Sequence, residues 1–187
     1  TVAVMLFVLP GYRTFPFRVS PLAPLIGVVG AAAWIGICLL HPEDRLLEAV
    51  HLGDWAQQGA RSAYNPLAVL ADTPAWAYGF LAVRFFGLVV VVAVMEEFFL
   101  RGFLMRYVIA EDWWKLGIGD VNRLAIATVT VFPMLYHPER IAALVWFSLV
   151  TWLMLKTRNI WDCVIAHAVT NLVLGVYVVW SGHWWLM

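Results

Sequence analysis

Six residues of types that do acid–base chemistry or bind charge stand out because they lie in or beside apolar stretches. Glu96, Glu97 and Arg101 fall in Glu96-Glu97-Phe98-Phe99-Leu100-Arg101-Gly102, inside an apolar run from Phe85 to Ala110, while His137, His167 and Asn171 follow in later apolar stretches. A carboxylate and an imidazole can share a water and draw its proton, which is the general-base step of peptide hydrolysis. An imidazole N–H and an asparagine amide can donate to the oxyanion that forms when water attacks a carbonyl. His167 and Asn171, four residues apart, share one helix face and suit that second task.

A charged side chain at membrane depth costs roughly 2.5 to 3.5 kcal/mol on insertion scales, so three of them in one run need a reason. On a helix Glu97 and Arg101 share a face and can neutralise each other across one turn. Glu96 is rotated by about 100° from Glu97 and lacks equal use of that partner. One carboxylate is thus expected to be tied down as structure, with the other left for chemistry; the competing reading makes all three a stabilising ion network in a transporter or scaffold. Ser148 and Cys163 lack the partners of a nucleophilic triad. Glu and His are legitimate zinc ligands, but no His-Glu-x-x-His or other tight ligand spacing occurs. The expectation is no cofactor and no metal, with a zinc-dependent membrane protease as an alternative.

These residues must be positioned by helices in a bilayer. Of 187 residues, 63% are hydrophobic and 13% charged, with a mean hydropathy of +0.82. Soluble domains sit near about 45–50% apolar and about 25% charged, so the composition predicts an all-α, polytopic transmembrane helical bundle with a polar intramembrane site. The expected partners are membrane lipid and a membrane-associated peptide or protein; the net charge of zero gives no sign of nucleic acid. Trp34, Trp55, Trp76, Trp113, Trp114, Trp180, Trp184 and Trp185 cluster near the ends of apolar runs, the pattern of an interfacial aromatic belt. Cys38 and Cys163 give neither a disulfide framework nor a metal motif.

Along the chain, Val2 to Leu9 reads as the end of a cut helix, followed by a loop with Arg13 and Arg18. The chain opens at Thr1 without a charged n-region, so the sequence predicts no signal peptide and a truncated N-terminal part. Ser20-Pro21 predicts a capped helix start for a span over Leu22 to Leu40. His41 to Thr73 reads as an extramembrane loop with an interfacial helix from Glu43 to Ala60. Thr73-Pro74 starts the next helix. The apolar pattern from Ala75 to Ala110 would reach roughly 54 Å as one straight helix, too long for one crossing, so it predicts either a break near Arg84 to Gly87 or extension beyond the bilayer. Leu124 to Tyr136 is short and holds Pro133; His137-Pro138 predicts a helix start with His137 at the cap. Asn159 and Asp162 form a capping-box variant before the last span, Ile160 to Trp180. Basic residues favour the Arg13/Arg18, Lys115/Arg123 and Lys156/Arg158 loops as cytoplasmic. The whole of 1–187 reads as one transmembrane domain, with a protease-like core at about 76–180.

The motifs resemble the type II CAAX prenyl endopeptidases and their bacterial CPBP or Abi relatives. Glu96-Glu97-Phe98-Phe99-Leu100-Arg101 matches the family's Glu-Glu-x-x-x-Arg, and His167-Ala168-Val169-Thr170-Asn171 matches its terminal histidine and asparagine. The middle motif, Phe-x-x-x-His, departs: Phe132 precedes His137 by five positions and Pro133 stands where the phenylalanine is expected. The resemblance implies a metal-independent, glutamate-type intramembrane endopeptidase. It implies that Glu96 activates water with His137, that His167 and Asn171 hold the oxyanion, and that Glu97 and Arg101 support the site. It also leaves room for a non-catalytic immunity or scaffold member. The expected location is a bacterial inner membrane.

Overall fold

Consecutive apolar residues of roughly a membrane's thickness can satisfy their backbone only as helices, and helices are what form. The computed structural model describes residues 2–7, 9–49, 51 and 62–187. In chain order the helices are α1 (Val2–Phe7), α2 (Leu9–Tyr12), α3 (Leu22–Leu40), α4 (Pro42–Ala49), α5 (Pro66–Val69), α6 (Pro74–Tyr107), α7 (Arg123–Val131, continued as a tight turn over Phe132–Leu135), α8 (Arg140–Thr157) and α9 (Ile160–Ser181). Among the described residues no strand occurs, and α3, α6, α8 and α9 are long and apolar enough to cross a membrane. The expected all-α membrane bundle is therefore the fold.

Of the two readings of the long apolar run to Ala110, the break at Arg84 to Gly87 does not occur: α6 runs continuously over 34 residues, longer than one straight crossing needs, and widens into π-helical turns over Gly87–Val92 and Phe98–Leu104. The acidic pair lies in the five-residue α-helical stretch between them, Ala93–Glu97. Carbonyl oxygens in both wide turns take side-chain donors, Leu88 O from Asn171 Nδ2 at 2.8 Å and Gly102 O from Arg106 Nε at 2.8 Å. Such turns recur at functional sites because they re-aim side chains without ending the helix.

Cap chemistry departs from the local reading at three places. Ser20 does not cap α3; its N–H and hydroxyl donate to Asp162 Oδ1 and Oδ2 at 2.7 and 3.0 Å. Asp162 is thereby taken from the expected capping box, and Asn159 alone caps α9, accepting from Trp161 N at 3.2 Å. His137 is not the cap of α8, which begins at Arg140; Glu43 reaches across from α4 to accept the N–H of Ile141. Pro10 and Gly11, read as loop, lie in α2. Of the interfacial helix expected over Glu43 to Ala60, the part to Ala49 is helical, and positions 50 and 52–60 lie outside the described residues.

These contacts also sort the loops. Asn159 donates to Arg18 O, Trp161 Nε1 to Phe15 O, and Gly119 lies against the Arg158 side chain, so the three basic loops gather at one end of the bundle. Glu43 with Ile141, and His41 stacked on Trp185, mark the other end.

α3 and α9 approach closely because glycines face the contact. A Cβ added at Gly27 would come within 2.6 Å of Val169 Cβ and 2.7 Å of Ala166 O, and one at Gly30 within 2.9 Å of the Trp146 ring. In a bilayer, where helix association rests on packing, small residues at the seam allow this approach. Gly27→Ala should therefore destabilise the fold by about 1–3 kcal/mol, since a backbone oxygen cannot step aside. The check is the thermal unfolding midpoint in detergent, and an unchanged midpoint would contradict the seam.

Candidate active site

Three of the candidate residues form one buried chain. Glu97, on the inner face of α6, receives Arg101 Nη1 at 2.8–3.0 Å, and both side chains are fully buried. Arg101 Nη2 donates to Phe147 O at 3.2 Å and Thr151 Oγ1 at 3.3 Å of α8, with the guanidinium over the Phe147 ring. On its other side Glu97 Oε1 lies 3.0 Å from His167 Nδ1 of α9. The expected Glu97–Arg101 pairing thus joins α6, α8 and α9 at a single carboxylate.

Glu96 faces elsewhere, as the 100° rotation requires. It lines a cavity of about 210 Å³ together with Trp34, Leu88, Val92, His137, Trp146, His167 and Asn171. Counting about 1.5 Å per residue puts His167, Glu96 and Trp34 roughly 10 to 20 Å along their helices from the basic end of the bundle. Glu96 Oε2 lies 4.0 Å from His167 Nε2. That gap is too long for a direct hydrogen bond and is one that a water touching both groups can bridge.

His167 is oriented by its neighbours. With Nδ1 on the Glu97 carboxylate, Nε2 is turned to Glu96 and the cavity, and Trp146 packs edge-on against the ring at 4.5 Å. Asn171, one turn further along α9, is fixed by one N–H on Leu88 O, and its amide has a second to offer. The first wide turn of α6 and the second histidine motif of α9 therefore lock each other.

His137 reaches the cavity from a less regular element. α7 gives way to the tight turn at Phe132–Leu135, Pro133 O accepts the N–H of His137 at 3.1 Å, and the ring sits among Trp34, Tyr136 and Phe147. The proline in place of the expected phenylalanine thus sits in the turn that carries the histidine.

The structure brings Glu96, His137, His167 and Asn171 to one cavity wall and holds Glu97 and Arg101 behind it. Among the described residues no three His, Cys, Asp or Glu side chains gather as a metal-holding group. Two wall residues escaped the sequence reading. Trp34, assigned there to the interfacial belt, is 7% exposed, and Trp146 is 3% exposed. Trp184 is likewise buried, whereas Trp76, Trp114 and Trp180 are exposed as expected; Trp55 lies outside the described residues. The signal that could have separated Trp34 is Gly30, one turn earlier, which marks that face of α3 as a packed one.

Four membrane-length helices around a polar cavity define a multi-pass integral membrane protein. The chain belongs to the type II CAAX prenyl endopeptidase Rce1-like family, which it matches over residues 78–173. No curated protein matches it, and no solved structure does.

Proposed function

We propose that the cavity hydrolyses a peptide bond of a membrane-associated substrate, with Glu96 as the base that activates water. The observation that carries the reading is the 4.0 Å gap between Glu96 Oε2 and His167 Nε2, on a cavity wall shared with His137 and Asn171. A water in that gap gives its proton to Glu96 and attacks the carbonyl carbon, and the proton then passes to the leaving amine. His137, on the same wall, shares the water with Glu96. The developing oxyanion is held by the second N–H of Asn171 and by His167 Nε2. Nε2 serves the oxyanion as a donor, with Nδ1 of the same ring held on the Glu97 carboxylate.

The substrate is a segment with an apolar or lipid-linked anchor, which suits a cavity whose wall also includes Leu88, Val92, Phe147, Leu174, Leu186 and Met187. The location is a bacterial inner membrane with the basic end cytoplasmic. Purified protein should cleave a membrane-tethered peptide library, and the cleavage should persist in phenanthroline. Loss of cleavage in the chelator, restored by zinc, would move the assignment to a metalloprotease. Absence of cleavage by folded protein would favour a non-catalytic immunity or scaffold role.

A further inference from the structure

The cavity wall contains two tryptophans of unlike status. Trp146 donates its indole N–H to Thr170 Oγ1 at 3.1 Å. Trp34 Nε1 is buried and has no hydrogen-bond partner among the described residues. A tryptophan N–H donates only, and when buried it usually finds an acceptor. At membrane depth no bulk water is at hand to supply one, so an unanswered N–H carries a standing cost. Trp34 is more than nine-tenths buried, lines the same cavity as Glu96 and Asn171, and meets the His137 ring edge-on with centroids 5.5 Å apart. It belongs to α3, outside the 78–173 stretch that matches the family.

We infer that Trp34 Nε1–H is a substrate-binding donor, which hydrogen-bonds a main-chain carbonyl oxygen of the peptide occupying the cavity. The inference rests on the reading of the cavity as a peptide site. An extended peptide drawn into apolar surroundings brings carbonyl acceptors that have lost their water, and each needs a donor from the wall. The indole N–H is such a donor, and the packing of α3 on α9 at Gly27 and Gly30 fixes its place. It adds a contact from the N-terminal span to a site otherwise built from α6 onward.

The test is a double-change cycle on binding. A Glu96→Gln background keeps the peptide intact, and Trp34 is replaced by the benzothiophene analogue, which retains the bicyclic shape and loses the N–H; Trp34→Phe serves as a second variant. Binding of a lipid-anchored peptide is compared with that of analogues in which one carbonyl at a time is reduced to methylene. At one carbonyl, removing either partner should weaken binding about tenfold, and removing both should weaken it no further. Losses that add independently at every carbonyl, as a water held by Trp34 would give, overturn the inference, as does failure of any peptide to bind. The protease reading is decided separately by the protein that retains Glu96. Coupled binding without cleavage defeats that reading and leaves the donor; cleavage without coupling does the reverse.

Discussion

Glu96→Gln should abolish measurable peptide cleavage while leaving the protein folded. The glutamine keeps the size of the side chain and its hydrogen-bonding reach but cannot accept a proton from water. General-base catalysis contributes about 10²- to 10⁴-fold, so turnover is expected to fall by at least about a hundredfold at unchanged peptide affinity. The fold should survive because the membrane-depth tie between helices runs through the neighbouring Glu97, whereas Glu96 faces a cavity. Single-turnover cleavage and the detergent unfolding midpoint, measured on one preparation, check both halves. Wild-type turnover in the variant would remove Glu96 from the chemistry.

The ion pair behind the cavity should behave in the opposite way. Arg101→Met leaves the Glu97 carboxylate fully buried with His167 as its remaining partner, and breaking a buried pair in this manner costs about 3–5 kcal/mol. The loss should appear as a large drop in the unfolding midpoint and poor recovery from the membrane, whether or not substrate is present. Adding Glu97→Gln to Arg101→Met should restore part of that stability, because the uncompensated charge is gone. If Arg101→Met unfolds like the wild type, the ion pair does not hold α6 to α8 and α9.

The spans and the residues of the polar site were legible because each rests on a local rule. A stretch of apolar residues such as Leu22 to Leu40 has no other way to cross a bilayer, and Glu97 and Arg101 must meet if their run is helical. What escaped reading depends on contacts distant in the chain. Ser20 looks like a helix cap, but Asp162, 142 positions away, takes both of its donors. Trp34 looks interfacial because an indole near the end of an apolar run usually is, and it is buried because glycines let α3 close on α9. The surroundings of His137 follow from a proline-containing turn and three rings brought by other segments, none of which its spacing encodes.

The two wide turns of α6 set a phase. Each spends an extra residue within a turn, so the stretch carrying Glu96 and Glu97 is rotated relative to the helix on either side. Along one continuous rod, lipid-facing residues such as Val83 and Phe99 can therefore coexist with a carboxylate pair aimed inward. A plain α-helix with the same side chains would carry the pair out of register with α9, about 100° for every residue removed. The angular setting of the acidic pair is thus encoded by residue count in the apolar stretches around it, and a one-residue deletion there is equivalent to moving both carboxylates.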